Sequence, residues 1–134
     1  MKAKLIITVV TILFASCSSN RLDTTQAQQA VENCLKAIDK GDVATVRSDY
    51  YTTEFVQTET EEQLKEKFKK LKEVTGDMKS FEMTQNAMQT ETGEEACVLL
   101  IYLVKHNRVT TKEEFVVVME SGKHKIGSNL ISNE

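Results

Sequence analysis

With 134 residues, 40% of them apolar, the chain is one domain's worth and carries enough hydrophobic material for a single core. A net charge of −3 excludes the electrostatic footprint of a nucleic-acid binder and of a protein held to anionic lipid by charge alone. Proline and tryptophan are absent and glycines number only 5, a composition suited to compact packing with few tight loops.

Lys2 and Lys4 make a short positive start, and the 11 residues from Leu5 to Ala15 follow without charge. That stretch has signal-peptide length and is too short to cross a hydrocarbon layer of roughly 30 Å as a helix. The small pair Ala15-Ser16 leads into Cys17, and Ser18-Ser19-Asn20 reads as a tether. The segment resembles a lipobox, the bacterial lipoprotein signal, with Phe14 standing where leucine is commonest. The resemblance implies a leader over residues 1–16, a diacylglycerol thioether with palmitate-type chains on Cys17, and anchoring to a membrane of the cell envelope. Ser18 lacks the aspartate associated with inner-membrane retention, which implies the outer membrane in a cell that has two. The competing reading is an ordinary secretory signal cut near Ser16, with Cys17 unmodified. Without Lys2 and Lys4 the mature chain of 118 residues holds 15 basic and 20 acidic groups, a charge of −5, so acyl chains rather than charge are expected to do the anchoring.

Residues 17–24 are expected to form the tether and residues 25–134 the domain. Thr25-Gln26-Ala27-Gln28 has capping-box spacing, and Ala27, Ala30, Val31, Cys34, Leu35 and Ile38 recur as one apolar stripe of a helix. Gly41 ends that helix, and Asp42 caps a shorter one carrying Val43, Val46 and Tyr50. Phe55-Val56-Gln57 is expected as a brief strand. Thr60-Glu61-Glu62-Gln63 is a second capping box, opening a helix with Leu64, Phe68 and Leu71 on one face and Gly76 at its end. Lys65, Lys67, Lys69, Lys70 and Lys72 alternate with acids along it, a solvated face rather than a basic patch.

Beyond Gly76 the period becomes alternating, and four strands are expected: Met78 to about Gln89, Glu95 to Lys105, Val109 to Met119, and Lys123 to Ile131. Glu91-Thr92-Gly93-Glu94, His106-Asn107-Arg108 and Ser121-Gly122 are the turns, so neighbours pair antiparallel as a meander. Helices followed by strands predict an α+β fold, with N-terminal helices on one face of a curved antiparallel sheet. The second strand is apolar on both sides, with Cys97, Leu99, Ile101 and Leu103 against Val98, Leu100, Tyr102 and Val104. That pattern predicts cover on the second face as well, most simply from another copy of the chain. Cys34 and Cys97 either close a loop of about 60 residues as a disulfide worth a few kcal/mol or stay as buried thiols; both states fit.

Three stretches resemble the nuclear transport factor 2-like, or cystatin-like, superfamily: the helix ending Ala37-Ile38-Asp39-Lys40-Gly41-Asp42, the order of helices before sheet, and the closing hairpin Gly122-Lys123-His124-Lys125-Ile126. His124 stands at a position usually held by tryptophan. The resemblance implies a cone-shaped domain, with either an interior ligand site or, as in the isomerases and dehydratases of the class, an acid–base site.

Candidate chemistry is sparse. Tyr50, Tyr51, Tyr102 and His124 are the pocket-lining polar candidates, each also readable as a core or rim residue. His106 falls in the turn beside Asn107 and Arg108 and is expected to be solvated. No His or Cys pair has metal-ligand spacing, and no phosphate loop or nucleophile elbow occurs, so neither cofactor nor metal is expected. The expected function is a lipid-anchored, non-catalytic domain binding a small molecule or an envelope protein. A small isomerase, dehydratase or hydrolase, or a structural subunit of an envelope complex, are the alternatives.

Overall fold

The computed structural model describes residues 21–89 and 96–134. Cys17, the leader and the turn at Glu91 to Glu94 lie outside the described residues.

Helix α1 spans Thr24–Asp39. Its cap is Asp23, not Thr25: the Asp23 carboxylate accepts from the backbone N–H of Thr25 at 2.6 Å and of Gln26 at 3.2 Å. A carboxylate satisfies two orphan donors and also complements the positive end of the helix, which a threonine hydroxyl does not. The apolar stripe is buried at Ala27, Val31, Cys34 and Leu35. Gly41, at φ 73°, turns the chain just past the helix end. Asp42 then caps α2 (Val43–Thr45), which widens into a π-type turn over Val46–Tyr50.

The brief strand expected at Phe55 is instead a short helix, α3 (Thr53–Val56). Tyr51 makes a single bridge to Ile126 before the chain turns away. The Thr52 hydroxyl accepts from Phe55 N–H at 3.1 Å, and Thr53 donates its N–H and hydroxyl to the Glu120 carboxylate. Local capping thus overrides the β-propensity of Phe55 and Val56.

Helix α4 (Glu61–Thr75) carries the expected capping box between Thr60 and Gln63 and buries Leu64 and Phe68. Its lysines face outward, with Lys70 near Glu66 at 3.9 Å and Lys67 reaching back to Glu59 at 3.1 Å.

Among the described residues, β1 (Met78–Gln89), β2 (Cys97–His106), β3 (Thr110–Glu120) and β4 (Lys123–Asn133) form one antiparallel meander in the order β1-β2-β3-β4. Ser121 and Gly122 both have positive φ, 51° and 76°, the geometry of a tight two-residue hairpin. Register shifts at Met83/Gln85 and at Val116/Val117 insert an extra residue in β1 and β4, and such bulges bend the strands that carry them.

On the helix side, Val98, Leu100, Tyr102, Val104, Phe115, Val117 and Ile126 join the α1 and α4 side chains in one core. On the other side, Ile101 is buried, while Leu99, Leu103, Val116 and Val118 are half-buried. Cys34 lies within the core and Cys97 on the opposite side of the sheet, and both are free thiols. No helix of the described residues is long and apolar enough to cross a membrane.

Candidate functional site: a buried polar cluster under the sheet

Strand parity creates the site. Phe115 and Val117 of β3 point into the core, so the residues two and four positions earlier, Glu113 and Thr111, must point there too. Both do, with exposures of 4% and 3%. A carboxyl side chain thereby sits among apolar neighbours, opposite Tyr102 on β2 and Ile131 on β4.

The Thr111 hydroxyl donates to Glu113 Oε2 at 3.3 Å and lies 3.3 Å from His106 Nε2, which links the three side chains in a row. The Asn129 side-chain amide approaches the same carboxyl from β4, leaving Asn129 Oδ1 buried without a partner. The imidazole Nδ1 of His106 is also buried without a hydrogen bond; the Gly76 carbonyl is a polar neighbour of the ring but falls short of bonding geometry with that nitrogen. His106 is therefore the last residue of β2, half-buried and bonded, and not the solvated turn residue the sequence suggests. The cause is that His106 N–H pairs with Val109 O at 3.0 Å, which extends the strand and moves the turn one residue onward.

Burial pushes the Glu113 carboxyl up to about 7, against the downward pull of its hydrogen bonds from Thr111 and Asn129. Burial lowers the His106 imidazole, opposed by the Gly76 carbonyl and the Asp39 charge. Burial first, and then the Glu113 charge, raise the Cys34 thiol, so Cys34 is an inert packing group rather than a nucleophile. The Tyr51 hydroxyl is raised by burial and then by the charges of Cys34, Glu59 and Glu113. Near neutral pH Glu113 thus sits at the edge between acid and base, the property general acid–base groups need.

Two pockets flank this cluster. One of about 40 Å³, room for a few water molecules, lies between α1, α4 and the sheet and is lined by Leu35, Ile38, Phe68, Val104, His106 and Glu113 among others. The second, of about 230 Å³, is lined by Arg47, Tyr51, Phe55, Leu64, Lys67 and Asn129 among others. Phe68 and Ile131 line both pockets.

Of the four pocket-lining candidates Tyr50, Tyr51, Tyr102 and His124, Tyr51 alone lines a pocket beside this cluster, and His106 lines the other. Tyr102 is fully buried, wedged edge-on to Phe81 and Phe115, and its hydroxyl donates to Glu32 Oε2 at 3.0 Å. Tyr50 is half-buried in the π-type turn. His124 Nε2 accepts from Asp23 N–H at 2.9 Å and thus ties β4 to the start of α1. Glu113, Thr111, Asn129 and Arg47 were not singled out. The signal for the first was present: an acidic residue in phase with Phe115 and Val117 on an apolar strand face. Among the described residues no group of His, Cys, Asp and Glu is placed to hold a metal ion.

No family model and no curated protein matches the sequence. Solved structures do match in shape. A candidate scytalone dehydratase from Novosphingobium aromaticivorans superposes with a TM-score of 0.55 at 8% identity, over 87% of this chain and 87% of that one. A candidate dehydratase of the nuclear transport factor 2-like family from Streptomyces avermitilis gives 0.54 at 16% identity, over 84% and 96% of the two chains. Bd1075 of Bdellovibrio bacteriovorus gives 0.54 at 12% identity over 82% of this chain, which spans only 40% of that protein. The fold is thus α+β, and its shape is similar to that of these proteins, one of them of the nuclear transport factor 2-like family. Identities this low extend the likeness to the fold alone.

Proposed function

We propose that the chain is an exported lipoprotein, tethered through Cys17, whose interior binds a small molecule against the Glu113 cluster. The observation that carries the binding reading is the pair of buried, unpartnered polar atoms, His106 Nδ1 and Asn129 Oδ1, on residues that line the two pockets. Buried polar atoms are nearly always paired in folded proteins, so two orphans at pockets are openings for a ligand's or a water's hydrogen bonds. A fragment screen by amide chemical-shift perturbation tests this. Hits are expected to perturb Phe68, Asn129 and Ile131; the absence of hits from a chemically broad library, or hits confined to the outer sheet face, would remove the reading. Export and acylation rest on the lipobox resemblance, and intact mass of the natively expressed chain tests them: a diacylglyceryl adduct on a chain beginning at Cys17 is expected, and a retained leader overturns the tether.

A second reading, an acid–base enzyme, is favoured by one observation: Glu113 and His106 are bridged by Thr111 at 3.3 Å on each side, with Glu113 held near 7. The dehydratase-like shape neighbours fit this reading at least as well as the first. Turnover of a bound fragment that disappears in Glu113→Gln, while binding persists, is the outcome that selects it.

A further inference from the structure

We propose that the larger pocket takes a small amphipathic anion: a body about the size of one ring, a carboxylate for Arg47, and a hydrogen-bond donor for Asn129. This rests on the reading of the interior as a binding site and names its ligand class. The walls are apolar and aromatic, supplied by Tyr51, Phe55, Leu64 and Phe68. A volume of about 230 Å³ exceeds the roughly 150 Å³ that holds a benzene ring in an apolar protein cavity, so a ring with a short side chain fits.

Charge selects the sign of the ligand. Three charged side chains line the pocket: Arg47, Lys67 and Glu59. Lys67 and Glu59 neutralise one another across 3.1 Å, whereas Arg47 makes no ion pair among the described residues. The pocket therefore keeps one uncompensated guanidinium, half-buried on the π-type turn, where its planar fork suits a carboxylate better than a lysine would. Polarity adds a second requirement. Asn129 lies beside Glu113 and lines the pocket, and its Oδ1 is buried without a hydrogen bond, an acceptor that a hydroxyl or an amine N–H on the ligand would satisfy.

Isothermal titration of the mature chain with four probes separates these requirements: para-hydroxyphenylacetate, its neutral amide para-hydroxyphenylacetamide, phenylacetate, and the cation tyramine. The hydroxy acid is expected to bind best, about tenfold tighter than its amide, with an affinity that falls as salt rises. Arg47→Met is expected to bring acid and amide within about twofold of each other, and Arg47→Lys to keep part of the preference. Phenylacetate is expected to bind about tenfold more weakly than the hydroxy acid in the wild type, a difference that Asn129→Leu erases. Melting curves of the variants establish that they fold, and Arg47, being half-exposed, has no core role to lose. If the amide or tyramine binds as tightly as the acid, or if Arg47→Met leaves the preference intact, the anion class is overturned while an interior binding site survives. If none of the four binds, the ligand class is overturned, and the binding reading then stands or falls on the fragment screen.

Discussion

Glu113 sets the balance of the interior. Its carboxyl ordinarily titrates near 4.5 and is raised to about 7 by burial, so between those values the folded chain holds a proton that the unfolded chain has released. Protons bound preferentially by the native state make stability fall as pH rises, and the loss is complete above the folded value. The full difference amounts to about 3 kcal/mol as an upper bound. Glu113→Gln keeps the shape and a hydrogen-bonding group while removing the titration. It is expected to flatten this part of the pH profile and to stabilise the chain by about 1–3 kcal/mol above neutral pH. Urea unfolding across a pH series reads this directly, and an unchanged slope in the variant would assign the titration to another group. An enzyme or binding protein that keeps such a residue gives up stability at the place where it works.

At the scale of elements, the joint between α4 and β1 leaves no room for a side chain. Gly76 has φ 82°, and a Cβ added there would meet Asn107 Cβ at 2.8 Å. Around it, Asn107 N–H bonds to Asp77 O and Arg108 N–H to Thr75 O, each at 3.0 Å, and the Arg108 guanidinium donates to Glu73 O. The β2–β3 turn is thus laced to the end of α4, which also places His106 at the Glu113 cluster. Gly76→Ala combines backbone strain with a clash and is expected to destabilise by about 2 kcal/mol, read as a lowered melting temperature. If the melting temperature is unchanged, the joint is looser than this packing implies.

The elements were largely legible in the sequence because their signals are local. The Thr60–Gln63 box, the stripe from Ala27 to Leu35, the Ser121-Gly122 hairpin and the alternation in β3 each act within a few residues. The misread pieces depend on specific hydrogen bonds that apolar periodicity does not report. Phe55 is helical because the Thr52 hydroxyl caps it and Thr53 reaches Glu120 on β3, and His106 is ordered because Val109 and Thr111 return beside it. The site was hardest to see because its parts are far apart in the chain. Glu113, His106 and Asn129 come from three strands, and only the register brings them together.

At the scale of the whole molecule, the second face of the sheet carries an apolar stripe between polar neighbours such as Gln85 and Glu114. Leu99, Ile101, Leu103, Val116 and Val118 occupy the side away from α1 and α4. We propose that a second copy packs there, since a two-fold contact between identical faces is the commonest form of self-association. The mature chain bearing Cys17→Ser is expected to sediment at twice the chain mass, and Ile101→Glu, which places a charge at the centre of that face, to return it to one chain mass. A single-chain mass for the Cys17→Ser protein overturns the pairing.

The functional account stands on a water-poor interior around Glu113. Carbon-13 NMR of the carboxyl resonances, with Glu113 assigned through the Glu113→Gln variant, measures that property at the residue concerned. A Glu113 midpoint close to 7 is expected, the value that burial imposes. A midpoint at the ordinary 4.5 would mean a carboxylate bathed in solvent, and would leave the interior without the polar cluster on which both binding and acid–base chemistry depend.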